Sequence, residues 1–513
     1  MDRSIHWETA DHGILLRHNY TDRRDLFNFT VNNVYIPSKN NSDQKPLMSN
    51  LNTFDFGYNW HNKTDNNNTL KFVINGKGTQ NQNTIKVDTT RCLILRDCFG
   101  DAGDDGPLNE DTVYRWSDAD FWKVQVYNEE RVPRDGDDLI LKSPWWIKLD
   151  QDSPVLGKLE VRGRLEFDST KDITLKAKSI WLRGGEIRIG TSTARYEKNA
   201  LIELQGGKFD EVLSFSNTVE AGNKILASNG NITMYGKDLG GQTLGRLHAS
   251  AAAGDTSITV TGQMTNWKVG DEIGLAPTGL AYNTTEQRTI ATIDSSVTNT
   301  VITFTPALEH AHYGSADSTK YEIHGVDTRG EVAMLSRNIK IKGTGTDNWG
   351  CQVLVHDLLE VDQTTRKTRT FMDHVEMAQC SQQDTHKANL RFEGVSLYEE
   401  HKVTNCAFHS GIGRGLQLTD AHNVTIDGNV FFGAKRFGVN IEASSKLKID
   451  NNYIIGVTER DFKIIDHQID EEAGMFVCVY SSCTDLQIRH NTVAGAKLGG
   501  YYIPGLACAD RTG

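Results

Sequence analysis

Gly415-Leu416-Gln417-Leu418 followed by Val424-Thr425-Ile426-Asp427-Gly428-Asn429, and then Gly438-Val439-Asn440-Ile441 followed by Leu447-Lys448-Ile449-Asp450-Asn451-Asn452, are one pattern written twice, 23 residues apart. It returns as Gly474-Met475-Phe476-Val477, as Leu486-Gln487-Ile488 leading to Asn491, and as Gly500-Tyr501-Tyr502-Ile503; Val403 and Asn405 form a weaker copy. Apolar residues alternate at period two, which is the signature of strands, and a glycine opens each second strand. A repeat of 23 residues holds three short strands and their corners, one coil of a right-handed parallel β-helix with apolar ladders inside. Leucine-rich repeats are excluded by the Val/Ile/Asn pattern and by the lack of a helix between copies. Asn429, Asn452 and Asn491 are expected at one corner, each amide bonding turn backbone in the coils above and below, a structural purpose that outweighs a sugar-binding row.

The repeat breaks once. Asn452 to Asn491 is 39 residues and Gly438 to Gly474 is 36, so an insertion lies between Ile455 and Gly474. Its polar content predicts a loop that leaves the stack and contacts a neighbouring domain, chain or glycan, with Arg460, Lys463, Asp466 and His467 as the candidate contact residues.

Working outward, period-two alternation continues almost everywhere, as in Leu159, Val161, Leu165 and Phe167, and no convincing helical period appears. The chain is therefore expected to be all-β. Residues 331–513 read as the β-helix and residues 238–330 as a small inserted β-module, with Ser257-Ile258-Thr259-Val260 and Val301-Ile302-Thr303-Phe304 as antiparallel strands. Residues 112–237 are short strands between glycines such as Gly136, Gly163, Gly184 and Gly190, where corners call for positive φ. Residues 1–111 mix strand-like runs with Asn-rich loops and read as an N-terminal β domain.

The succession Trp116-Ser117-Asp118, Pro133-Arg134-Asp135-Gly136-Asp137, Leu159 to Phe167 and Ile187-Arg188-Ile189-Gly190 resembles the G8 domain. Trp267-Lys268-Val269-Gly270-Asp271-Glu272-Ile273 and Glu331 to Ile339 continue a pattern similar to that of the fibrocystin and fibrocystin-L family. More distantly, it resembles the cell-migration-inducing hyaluronidase and its transmembrane relative. The resemblance covers about residues 112–513. It implies a surface ectodomain with ciliary association, and it pairs Cys483 with Cys508 as the bounds of one coil.

Charge and composition narrow the function classes. A net charge of -12, with no long Lys/Arg run, excludes the electrostatic footprint of a nucleic-acid binder. No apolar stretch is long enough to span a membrane, and Met1 to Trp7 does not read as a signal peptide, so secretion implies processing or a longer chain. Secretion is nevertheless the preferred compartment. Asn-x-Ser/Thr acceptors stand at Asn19, Asn28, Asn40, Asn62, Asn67, Asn231, Asn283 and Asn423. Eight cysteines, some closely spaced as Cys92/Cys98 and Cys478/Cys483, have no zinc-type spacing and read as disulfide formers, with Cys92–Cys98 the first pairing.

Residues that carry chemistry are harder to single out. Asp118, Asp120, Asp135, Asp137 and Asp138 offer carboxylates for glycoside chemistry, but acidic residues are also the ordinary closers of β-turns. No catalytic residue is assigned. Asp101, Asp104 and Asp105 are weak calcium candidates without EF-hand spacing, and His310 and His312 lack a third metal ligand. No other cofactor is expected. Arg414, Lys435 and Arg436 read as a solvated basic edge on stacked coils. The expected function is thus an extracellular structural or adhesive glycoprotein ectodomain, its partners neighbouring domains, chains or glycans. The alternative is a hyaluronan-binding or hyaluronan-degrading extracellular enzyme.

Overall fold

The computed structural model describes residues 107–503 apart from 216–219, 297, 346–347, 361–364, 384, 459–471 and 480, together with the backbone of six strands before residue 100. The chain divides into two compact units, one made of Met1–Asp105 with Ser214–Val219 and the other of the remainder. In the first unit the strands Ile5–Ala10, Gly13–His18 and Thr53–Asp55 form one antiparallel sheet, and Thr30–Tyr35, Asn68–Gly76 and Thr79–Val87 form another.

The second unit is built on a 24-stranded parallel sheet wound into a β-helix. Each coil contributes one strand to each of three faces. Ile339–Gly343, Val375–Ala378, Ala407–His409, Val430–Phe432, Tyr453–Val457 and Thr492–Ala496 pair in register along the first face. Gln352–Val355, Leu390–Val395, the start of Leu416–Asp427, Phe437–Glu442, Ala473–Val477 and Gly499–Tyr502 form the second. Arg369–Asp373, His401–Thr404, the end of Leu416–Asp427, Ser445–Asp450 and Thr484–Arg489 form the third.

Because side chains alternate across a strand, every second residue enters the core. The stack Phe408, Phe431, Ile454 and Val493 on the first face and Leu390, Leu416, Val439 and Met475 on the second are such rows. Phe408 and Phe431 stack with ring centroids 4.7 Å apart. Each fully buried side chain of this kind contributes about 2 kcal/mol. The glycines at 415, 438 and 474 keep the backbone thin at one corner: a Cβ on Gly438 would stand 2.5 Å from Ile454 Cγ2 and 2.9 Å from Gly474 O. Their need is for close approach, not for positive φ.

The sheet runs without a break from the strands Leu139–Leu141 and Trp146–Leu149, through Val155–Val161, Arg164–Phe167 and Ile173–Ile189, into the later coils. Residues 112–237 wind the first coils of the same sheet and share its core. Their end carries an aromatic cluster. Asp118 caps the short helix Ala119–Trp122, which brings Trp122 to Trp116, centroids 5.2 Å apart and both fully buried.

Between two coils the chain leaves to form the module. Its six antiparallel strands lie in the order Leu244–Arg246, Glu331–Met334, Glu272–Leu275, Glu286–Asp294, Thr300–Phe304 and Ser257–Val260, and a bridge between Leu247 and Val260 joins the two ends. The module has a core of its own, including Val260, Trp267, Ile273, Ile302 and Phe304. It lies on the first face, where Ala276, Ala333 and Leu335 pack on the outward Val430, Phe432 and Ile455.

Candidate binding site

On the second face several outward positions are polar yet buried. One outward row reads Arg391, Gln417, Asn440, Phe476 and Tyr502, each paired in register with the next. At the spacing of neighbouring strands these five groups extend over about 19 Å. Beside it Glu393, Thr419 and Glu442 form a second row.

Arg391 is fully buried. Its guanidinium donates to Glu393 Oε1 at 3.0 Å, to Gln352 Oε1 at 2.7 Å and to the Ala221 carbonyl at 3.0 Å. Burial works against ionisation of Glu393, but Arg391 beside it prevails and holds the carboxyl below its usual range. The neutral form of His356 is favoured by burial, and its Nδ1 is 2.6 Å from the Glu393 carbonyl. Further along, Gln417 donates to Thr419 Oγ1 at 2.7 Å, while its own Oε1 accepts nothing. The side-chain oxygens of Asn389 and Asn440 are likewise without a hydrogen bond, although all three residues are less than 9% exposed. A buried amide oxygen left unpaired costs on the order of 1–3 kcal/mol, so each of the three calls for a donor, whether an ordered water or a ligand hydroxyl. Arg414 lies 4.9 Å from the Phe437 ring centroid, and Phe476 and Tyr502 stack at 4.8 Å.

The expected Asn ladder is present at the corner between the third and first faces. Asn429 Oδ1 accepts from Cys406 N at 2.9 Å and its Nδ2 donates to Val403 O. Asn452 Oδ1 accepts from Asn429 N and Nδ2 at 3.0 Å, and Asn491 Oδ1 accepts from Asn452 N and Nδ2 at 2.9 Å. Asn405 is not its weaker copy. It occupies the preceding position, where His374, Asn405, Gly428, Asn451 and His490 all have φ between 53° and 68°. The ladder position in that coil belongs to Cys406, whose Sγ accepts from Val375 N and contacts the Thr404 and Met372 carbonyls.

Other sequence-predicted residues fall as follows. Asp118 caps its helix, Asp137 accepts from Arg134 N in its turn and from Arg131, and Asp135 and Asp138 accept from Val155 N and Lys158 N of the next coil, so four of the five acidic residues are engaged in holding backbone or arginine. His312 is fully engaged, its Nδ1 2.8 Å from Ala276 O and its Nε2 3.0 Å from Glu286. Arg436 is buried and Arg414 and Lys435 are half-buried, not a solvated edge. Asn283 is exposed in a turn and Asn231 is half-buried on a strand. Asn423 donates its amide nitrogen at 2.9 Å to the Glu399 carbonyl, in a turn beside the exposed Leu397 and Tyr398.

Cys483 bonds Cys478, their Cα atoms 6.0 Å apart, and so does not take Cys508 as its partner; a corner five residues long already brings its two ends together. A disulfide between Cys351 and Cys380, in adjacent coils, had no signal in their spacing. Asn19, Asn28, Asn40, Asn62, Asn67, Cys92, Cys98, Cys508, Asp101, Asp104, Asp105, and the loop residues Arg460, Lys463, Asp466 and His467 lie outside the described residues.

The amide row itself escaped the sequence reading, though Gln417 and Asn440 stand inside the repeated Gly-x-x-x strands. Their polar identity was legible; their burial was not.

The family model of the G8 domain matches residues 122–243, and that of the right handed beta helix region matches residues 373–507. Fibrocystin-L of Homo sapiens is 24% identical over 97% of this chain, and fibrocystin of Mus musculus is 24% identical over 78%. A G8 domain-containing protein of Dictyostelium discoideum is 25% identical over 60% of the chain and 20% of its own length. The chain spans 12% of the length of fibrocystin-L and 10% of that of fibrocystin. With its G8 region wound into the same stack as its β-helix region, the chain is similar to fibrocystin-L and fibrocystin over most of its own length.

Proposed function

We propose that this chain is an extracellular structural or adhesive glycoprotein segment of a cell or ciliary surface, and that the second face of its β-helix takes a glycan. The observation that carries the reading is the set of unpartnered amide oxygens at Asn389, Gln417 and Asn440. They lie near an Arg391–Glu393 pair and in line with two stacked aromatic rings. Sugars present hydroxyl donors to amides and carboxylates and an apolar ring face to aromatics, which is the chemistry this row offers. The insertion carrying Arg460, Lys463, Asp466 and His467 is proposed as a second contact, with a glycan or a neighbouring chain. Two disulfides among the described residues agree with an oxidising compartment. So does the acceptor Asn283, exposed in a turn.

Immobilised neutral and anionic oligosaccharides, probed with the purified chain, test this reading. The expected result is binding that Gln417→Leu with Asn440→Leu weakens at least tenfold. Equal binding by the double variant, or no binding to any glycan, sinks it. The same preparation incubated with hyaluronan separates the hyaluronidase reading: shortening of the polymer replaces an adhesive role by an enzymatic one.

A further inference from the structure

Where the module meets the first face, the interface changes from apolar to ionisable. The coils bearing Val430, Phe432 and Ile455 give way to one bearing His409 and another bearing Glu376, both only 2% exposed. Glu272 reaches in from the module strand Glu272–Leu275. One ligand atom from each of Glu272, Glu376 and His409 lies within 4.8 Å of the other two. The two buried residues sit on neighbouring strands and the third on an element inserted far earlier in the chain, so only folding brings the three together.

The histidine is arranged as a ligand would be. Its Nδ1 is 3.1 Å from Ser410 Oγ, and Ser410 in turn reaches Gln287 of the module at 3.4 Å. With the proton on Nδ1, Ser410 Oγ accepts it and the lone pair stays on Nε2, the arrangement that outer partners impose on metal-bound histidines. Nε2 is buried and faces Glu376 Oε1 at 3.3 Å. Two donors each about 2.1 Å from a tetrahedral ion stand about 3.4 Å apart, so this separation fits a shared cation. Glu376 Oε2 is already satisfied by Arg337 N at 2.7 Å. Lys340 Nζ is 3.1 Å from Oε1 and would turn into solvent, which its 40% side-chain exposure permits. Glu272 Oε2 stands 4.0 Å from the other ring nitrogen, Nδ1, and at 38% side-chain exposure has room to swing toward Nε2.

We propose that Glu272, Glu376 and His409 bind a first-row divalent cation that fastens the inserted module to the β-helix. One imidazole and two carboxylates suit Zn²⁺ or Mn²⁺, with water completing the shell. Burial of the cation beneath the module couples its binding to docking.

The test is calorimetric titration of the metal-stripped chain with Zn²⁺ and Mn²⁺, alongside thermal melts with and without each ion. One equivalent of at least one ion is expected to bind and to raise the melting temperature. His409→Ala should lose at least tenfold in affinity. Glu272→Gln alters a half-exposed side chain and should keep the wild-type circular dichroism while losing at least threefold. With Co²⁺ as probe, visible d–d bands should appear without the thiolate charge-transfer band that Cys406 would give. Failure of both ions to bind, or binding unchanged in Glu272→Gln and His409→Ala, overturns the proposal.

Discussion

At the residue scale, one position shows how a thiol replaces an amide. Asn429, Asn452 and Asn491 each accept a backbone N–H through oxygen and donate to a strand carbonyl through nitrogen. Cys406 performs both tasks with one sulfur, and burial pushes its thiol up to about 12, so it remains a protonated weak donor. His401 is the contrasting case. It faces the core in the row that continues as Val424, edge-on to Phe392 at 5.4 Å, and neither ring nitrogen is hydrogen bonded. Burial pushes its imidazole from 6.5 down to about 4. A depressed histidine pKa means that the unfolded chain takes up the proton first, so stability is full above about pH 6.5 and falls as the pH drops toward 4. The expected loss attributable to this residue at pH 5 is about 2 kcal/mol. His401→Leu, compared with wild type in denaturant titrations at pH 7.5 and pH 5, should remove that much of the acid sensitivity. An identical pH dependence in both proteins would show that His401 is not its source.

At the scale of the element, the corner ladder turns a repeated amino acid into a continuous chain of hydrogen bonds. Asn452 stands in its middle, tied to Asn429, Ile426 and Asn491. Asn452→Leu leaves the Asn429 N–H and the Ile426 carbonyl without their side-chain partner and takes one of its two donors from the Asn491 oxygen, and should cost about 4 kcal/mol. Hydrogen exchange at the Asn429 amide is the direct readout: protection should drop sharply, and unchanged protection would remove the ladder from the account. The spacing of 23 made this ladder legible, because the same side chain recurs wherever the same corner must be satisfied. Asn405 misled by identity alone; a left-handed φ and an amide ladder both select asparagine, and only register distinguishes them. The continuity of the first coils with the later ones was not legible, because their lengths vary and no fixed period links them to the later copies. Arg391 and the Ala221 carbonyl that covers it are 170 residues apart, as the cluster of Glu272, Glu376 and His409 is also assembled over long separations. Distances of that kind leave no local pattern to read.

For the compact unit formed by residues 106–213 and 220–513, the governing question is how an inserted module stays on a stack it did not need for its own folding. Its core is separate from that of the β-helix, so its position rests on the docking surface: Ala276, Ala333 and Leu335 against Val430, Phe432 and Ile455. Two glycines set how closely the surfaces meet. A Cβ on Gly274 would overlap the Phe432 ring, and one on Gly456 would overlap Thr285. The Phe432 ring is 6% exposed and packed on both sides, so it has little room to retreat. Gly274→Val should therefore push the module away while leaving both cores folded. Gly279 is a fitting control, because a Cβ there meets nothing within 4 Å and its φ is not left-handed. The expected signature of Gly274→Val is an unchanged far-ultraviolet spectrum, rapid proteolysis of the connections flanking the module, and self-association through the uncovered Val430, Phe432 and Ile455. Gly279→Ala should show none of these. Because Glu272 lies two residues before Gly274 on the same strand, the displaced module would also carry a ligand away, and Zn²⁺ should no longer raise the melting temperature. A Gly274→Val protein that resists protease like wild type and remains monomeric would mean that the interface tolerates a wider gap than its packing indicates, and that the module is held by something other than this apolar contact.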